Sequence, residues 1–315
     1  MRATARVAAT GLGCVLLVLA MVGCSPTTYT VQVTSTSLTL PCGGGTTVQA
    51  NWAFPDGLTP TGLIYLQHGF ARSKDNVSDL TKKYAARGWV VVAPSLGSFG
   101  SCTINELPMH QAIAAALVDS TNPASAFQTS ANAARSALGL APLTLPSAIV
   151  LSGHSAGGAL VTVVGGIIAS NPSPTVKARL KGIVLLDPVE NANNGMAAAL
   201  PNLTTTKLLT ISGGDSSCNS NSSGTKALLP TRSGFAGVRL PTGCHCDAEA
   251  DSTDGLCTLV CGTPKQANKD ALRELAPDWA SDMFRGTTAA SSYPGGTYYE
   301  DQKTAGTIQT LTGGA

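Results

Sequence analysis

The sequence predicts an α/β fold built on a mostly parallel sheet flanked by helices. Three observations carry that expectation. Strand-like and helix-like segments alternate through the middle of the chain, as they must when helices cross over between parallel strands. Several strand-like segments are continuous apolar runs, the mark of strands covered on both faces. Finally, Gly153-His154-Ser155-Ala156-Gly157 lies between one such strand and an apolar helix.

In chain order, residues 28–35 and 46–53 alternate and are rich in β-branched side chains, so both are expected to be antiparallel edge strands. Residues 62–67 form a short apolar strand that runs into His68-Gly69-Phe70. A helix is expected over 75–87 and a buried strand over Trp89–Pro94. An Ala-rich helical stretch covers about 105–118, with a second reaching 138. Residues 147–152 are the next strand, followed by a nearly all-apolar helix from Ser155 to Ser170. Two further strands are expected at Gly182–Asp187 and Lys207–Ser212. The last helix, about 266–285, places Leu272, Leu275, Trp279 and Met283 on one stripe, with a break expected near Pro277. Residues 213–226 and 286–315 are rich in small polar residues and glycine and are expected as loop and tail.

The chain divides into residues 1–23 as a leader, 24–40 as a tether with the first edge strand, 41–285 as one catalytic domain, and 286–315 as a Gly/Thr-rich tail. The leader has a basic start at Arg2 and Arg6, then an uncharged apolar run from about Gly11 to Gly23. That run is too short to span a bilayer, which takes ~20 apolar residues, and matches the apolar part of a signal peptide. It ends Leu19-Ala20-Met21-Val22-Gly23-Cys24 and resembles a bacterial lipobox, which implies a lipid on Cys24 and attachment to a membrane outside the cytoplasm. Ser25 after that cysteine points to the outer membrane or cell surface. A plain secreted chain with a cleaved leader is the alternative.

Charged residues make up only 12% of the chain, about half of the ~25% usual in soluble domains. Without Arg2 and Arg6 the 20 basic residues become 18, against 18 acidic ones. A neutral chain offers no electrostatic footprint for nucleic acid. Seven cysteines follow Cys24: Cys42, Cys102, Cys218, Cys244, Cys246, Cys257 and Cys261. In an exported protein these are expected to pair as disulfides, with one left over. The cluster from 244 to 261 lacks two Cys-x-x-Cys pairs, so no metal site is assigned.

The chemistry centres on Ser155. In a Gly-x-Ser-x-Gly turn between buried strand and helix, the hydroxyl is pushed out at the carboxyl end of the sheet. This is the nucleophile position of the α/β-hydrolase fold. A serine hydroxyl needs a base within hydrogen-bond reach. Of four histidines, His68 and His154 belong to the two turns and His110 to a helix; His245, downstream of the late strands, remains as the base. His68 is read as a brace beneath its loop. The N–H groups of Phe70 and Ala156 are the expected oxyanion donors, where fixed dipoles stabilise the charge that develops on a carbonyl oxygen. The acid that orients the imidazole is either Asp187 or Asp215, each at a strand end and each keeping the order Ser, acid, His. Position alone leans to Asp215. No cofactor is needed for such chemistry.

Leu66–Asp75, Tyr84–Pro94, Gly153–Gly158 and Gly182–Val189 together resemble the chlorophyllase family and the related bacterial polyester-hydrolase and dienelactone-hydrolase-like enzymes. The likeness covers about residues 60–190. In chlorophyllases the catalytic Asp lies in an Asp-Pro-Val segment after the corresponding strand, which implies Asp187 here, with Asp215 as alternative. The family's pigment substrate is not carried over, because those enzymes commonly have Arg where this chain has Ala156. The expected activity is ester hydrolysis through an acyl-enzyme, on a small-molecule or polymeric ester. An acyltransferase with the same three residues, and an inactive surface-binding module, are the alternatives.

Overall fold

The computed structural model describes residues 28–57, 59–191, 193–288 and 290–314. The leader and Cys24 lie outside the described residues. Nine strands among the described residues form one sheet: β1 Val31–Leu40, β2 Thr46–Pro55, β3 Leu63–Gln67, β4 Val90–Pro94, β5 Ile149–His154, β6 Leu180–Leu186, β7 Leu208–Ser212, β8 Ser233–Arg239 and β9 Gln309–Gly314. Their order across the sheet is β1-β2-β4-β3-β5-β6-β7-β8-β9. The six strands from β4 to β8 are parallel, and both edges are antiparallel. With the serine turn after the central β5, this is the α/β-hydrolase fold.

The parallel strands β3, β4, β5 and β7 are buried along their whole length, which is why they read as unbroken apolar runs. Among the described residues ten α-helices connect or flank the strands: α1 Ser78–Ala86, α2 Leu107–Val118, α3 Ala126–Ala137, α4 Ala156–Ala169, α5 Pro174–Lys177, α6 Gly195–Ala199, α7 Ser223–Leu228, α8 Gly255–Cys261, α9 Gln266–Arg285 and α10 Thr297–Thr304. Two apolar cores result. On one face, α2, α3 and α4 pack over Leu63, Tyr65, Leu151 and Leu185. On the other, α1 and α9 pack over Ile64, Val91, Val150 and Val184, alternate residues of the same strands. Alternation therefore survives, but as two apolar faces rather than apolar and polar.

Four expectations need correction. The boundary at 40/41 falls inside the β1–β2 hairpin, whose register runs without a break from Val31↔Pro55 to Leu40↔Thr46, so β1 belongs to the catalytic domain. Only β1 is an edge strand at that side, because β2 also pairs with β4. Residues 290–314 of the tail are folded: α10 is followed by β9, which closes the far edge against β8, and Ile308 and Leu311 are buried. Finally, α9 runs through Pro277 without a break. Here burial of Leu275, Ala276, Pro277 and Trp279 against the sheet outweighs the hydrogen bond that proline removes. β8 was not anticipated, since Gly234 and Gly237 interrupt its apolar pattern. Gly237 is needed there, because a Cβ would sit 1.9 Å from the Thr210 carbonyl oxygen.

Candidate active site

The site is assembled at the carboxyl ends of the parallel strands. β5 ends at His154 and α4 begins at Ala156, leaving Ser155 alone to make the turn. Its φ of 57° and ψ of −126° place a non-glycine residue in strained backbone. The turn is held by close packing. A Cβ on Gly153 would lie 2.2 Å from the Gly157 carbonyl oxygen, and one on Gly157 would lie 2.4 Å from that of His68. Both glycines are therefore required by space. Ser155 N–H donates to Leu186 O at 3.1 Å, and Ser155 O accepts from Gly158 N and Val189 N, which fixes the turn against β6.

Asp187 follows β6 directly, with φ 43°, a conformation that Asp tolerates better than most residues. Its neighbour Pro188 sits in a slot that only glycines permit: Cβ atoms on Gly158 and Gly224 would come within 2.8 Å and 2.4 Å of it. His245 opens a 310 segment, His245–Ser252, after β8. The three side chains meet although 58 and 90 residues of sequence separate the histidine from the other two. His245 Nδ1 lies 2.6 Å from Asp187 Oδ2, and His245 Nε2 lies 2.9 Å from Ser155 Oγ. A carboxylate can only accept, so Nδ1 carries the hydrogen and Nε2 turns its lone pair to the serine hydroxyl. All three residues are buried.

Asp215, the alternative acid, is elsewhere. Its carboxylate accepts from Lys226 Nζ and Ser222 Oγ, both at 2.7 Å, with Arg239 at 3.4 Å. The Lys226 bond, first, and the Ser222 hydroxyl lower its pKa to about 2. The structure thus brings Asp187, and not Asp215, to His245.

Phe70 and Ala156 line the same cavity of about 370 Å³ as Ser155, together with Glu106, Glu190 and Cys218. Ala156 is the first residue of α4, so its N–H has no acceptor within the helix and stands at the positive end of the helix dipole. The Phe70 loop reaches the serine because of Gly69, whose Cβ would meet Ser155 Cβ at 2.9 Å. Beneath it His68 is buried: Leu96 N–H donates to His68 Nε2 at 3.0 Å, so Nδ1–H donates to Gly69 O at 2.7 Å. Burial pushes its pKa down to about 4.

Two supporting side chains, Asn219 and Asp247, escaped the sequence reading. Asn219 is fully buried, and its amide nitrogen reaches both carboxylate oxygens of Asp187 at 3.2 Å while its Oδ1 accepts from Ser216 and Ser222 N–H. Gly213 N–H adds a bond to Asp187 Oδ1 at 3.0 Å. Asp247 is buried and accepts from Cys244 N, Lys265 N and Asn268 Nδ2, tying the strand-to-310 corner to α9. His154 Nε2–H donates to the backbone oxygen of His245 at 3.0 Å, with the two rings 4.6 Å apart. Burial, first, and the nearby His245 ring hold His154 well below the usual histidine range. Neither Asn219 nor Asp247 stands in a spacing pattern; only the adjacency of Asn219 to Cys218 and of Asp247 to Cys246 marks them.

Among the described residues the cysteines form Cys42–Cys102, Cys218–Cys261 and Cys246–Cys257, and Cys244 is free. Two of the three flank the site: Cys246 follows His245, and Cys218 precedes Asn219. The sulfurs of Cys246, Cys257 and Cys261 lie within 4.8 Å of one another, but each is in a disulfide and offers no thiolate to a metal. Arg72, just beyond the Phe70 loop, donates through Nε and Nη2 to Glu249 at 2.6 Å each and bridges to Asp254 at 3.0 Å. The Phe70 loop and the histidine segment are thereby fastened to each other.

No family model matches this chain, and no curated protein matches it. Among solved structures the chain is similar to brefeldin A esterase, described as a bacterial homologue of human hormone-sensitive lipase. The identity is 14% and the TM-score 0.49, over 80% of this chain and 78% of that one.

Proposed function

We propose that this protein is a serine carboxylic-ester hydrolase that works through an acyl-enzyme. The observation that carries the reading is the continuous hydrogen-bonded chain from Ser155 Oγ through His245 to Asp187. His245 Nε2 takes the Ser155 proton as Oγ attacks the ester carbonyl. The resulting oxyanion is held by the N–H groups of Phe70 and Ala156. His245 then gives that proton to the departing alkoxide, the alcohol leaves, and the acyl group stays on Ser155. A water molecule, deprotonated by the same Nε2, attacks the acyl carbon; the acid leaves and the Ser155 hydroxyl is restored. Asp187 keeps the proton on Nδ1 throughout and stabilises the imidazolium that forms. The sequence likeness of residues 60–190 to the chlorophyllase and bacterial polyester-hydrolase group agrees with this chemistry.

The reading extends to place. Cys24 is proposed as the lipidated first residue of an exported protein, and the three disulfides support an oxidising destination. Intact mass of membrane-extracted protein tests it, with a diacylated Cys24 expected; an unmodified N-terminus later in the chain would refute it.

For the activity, p-nitrophenyl esters from acetate to palmitate are offered to the chain beginning at Ser25 and to its Ser155→Ala variant. Turnover lost by ~10⁴-fold or more in the variant is expected. A folded, disulfide-intact wild type that hydrolyses none of them would contradict the proposal.

A further inference from the structure

Two cavities follow one another along α4. The Ser155 cavity shares Asn105, Asn191 and Asn193 with a second cavity of about 590 Å³. The floor of the second is apolar and comes largely from Val163, Gly166 and Ile167 of α4, with Ala198 and Ala199 of α6 opposite and Leu107 of α2 at the rim. Ala156, Val163, Ile167 and Ser170 recur at the spacing of one helical face, so the floor continues the line that begins beside the serine. From Ala156 to Ser170 the helix rises about 21 Å.

Small side chains open this path. Gly166 faces Ala199, whose Cβ would lie 3.0 Å from a Cβ built on the glycine. No residue lining the second cavity carries a formal charge at neutral pH: its polar lining is Asn105, Asn191, Asn193, Asn202, Ser170 and His110, and His110 is buried with Nε2 bonded to Ile104 O, its pKa lowered by burial. In the Ser155 cavity the Glu190 carboxylate is taken up by the N–H groups of Asn191, Met196 and Ala197 at the start of α6. Glu106 and Glu190 are the charged residues of the joined channel and both lie at its Ser155 end, so its long uncharged remainder suits neither a compact ester nor an anionic one.

We propose that the two cavities form one groove that seats the extended aliphatic arm of a long-chain ester, with the ester carbonyl at Ser155 and the chain laid along α4. This rests on the ester-hydrolase reading and names its substrate class. The arm belongs either to the acyl or to the alcohol half, and two substrate series separate them: p-nitrophenyl esters of increasing acyl length, and acetates of increasing alkyl length.

The test compares wild type with Ala198→Trp, which fills the groove from an exposed position on α6, and with Ile167→Ser, which makes its floor polar. In one of the series kcat/KM is expected to rise with chain length, and in both variants the long-to-short preference is expected to fall about tenfold or more, the loss of a few buried methylenes. A wild type indifferent to chain length in both series, or variants that keep its preference, would overturn the proposal. Dodecanoate binding, followed by calorimetry on Ser155→Ala with and without Ala198→Trp, separates this failure from that of the catalytic reading. If no ester is turned over yet dodecanoate binds and Ala198→Trp weakens it, the groove stands and the hydrolase reading falls. No turnover and no dodecanoate binding would remove both.

Discussion

The serine turn and the histidine segment face each other across 2.9 Å, yet they are held by different means. The turn at 153–157 is fixed by contact: two glycines whose hydrogens touch carbonyl oxygens, between a strand buried throughout and a helix buried at all but Ile167 and Ala169. The segment at 244–262 holds the 310 stretch and the short α8 but adds little to the apolar core, with Leu256, Leu259 and Val260 exposed. It is fixed by two disulfides, a buried Asp247, the His154 bond to its backbone, and the Arg72–Glu249 pair. Steric closeness suits the proposed nucleophile, which must project from a strained turn. Cross-links and polar ties suit the proposed base, which arrives from a distant part of the chain.

The largest effect expected concerns the join between the two regions. Asp187→Asn should lower kcat about 10⁴-fold by unsettling the His245 tautomer, whereas Asp215→Asn should stay within a few-fold. Steady-state kinetics on both variants decides; the reverse pattern would move the acid to β7. Breaking the turn alone comes next. Gly157→Ala drives a Cβ against His68 O and Gln67 O, and a loss of about 3 kcal/mol or failure to fold is expected in thermal unfolding.

Cutting a tie in the histidine segment should cost function more than fold. Cys246→Ser with Cys257→Ser releases His245 from its neighbour, with a drop of roughly 2–4 kcal/mol or less in stability. Activity should fall while far-UV circular dichroism of the sheet is retained at moderate temperature. Asn219→Ala removes a charge-assisted bond to Asp187, and kcat should fall about tenfold to a hundredfold with KM little changed. A value equal to wild type would show that Gly213 N–H alone is enough.

The difference between the regions also explains what could be read from the sequence. Ser155 was visible because its constraints are local: glycines two residues either side, an apolar strand before and an apolar helix after. His245 could be reached by elimination among four histidines. Asp187 and Asp215 were not separable by position, since both end strands; the Asp-Pro-Val resemblance pointed to Asp187, and the geometry now places that residue on His245 while Asp215 joins Lys226. Asn219 and Asp247 act across 32 and 21 residues, through hydrogen bonds that leave no periodicity behind. The folded tail was missed for a similar reason: β9 is stabilised by pairing with β8, itself broken by glycines.

The smallest effect expected is on pH. The pKa of His68 is lowered to about 4 in the folded state, against an ordinary value near 6.5. Above pH 6.5 both folded and unfolded chains hold it neutral, and its full contribution to stability is present. As pH falls from 6.5 towards 4 only the unfolded chain takes up the proton, so stability declines, by about 1 kcal/mol at pH 5.5. His154, lowered by burial, acts in the same direction. Denaturant melts between pH 8 and 5 check this, and a His68→Gln variant that still folds should flatten the slope.

In the proposed reaction Ser155 becomes covalently acylated, with His245 as its base. The most direct measurement is labelling with a fluorophosphonate followed by peptide mass spectrometry. One adduct per chain is expected, on the peptide that carries Ser155, with labelling slowed strongly in His245→Ala. An unlabelled, folded and disulfide-intact protein, or an adduct on another residue, would contradict it.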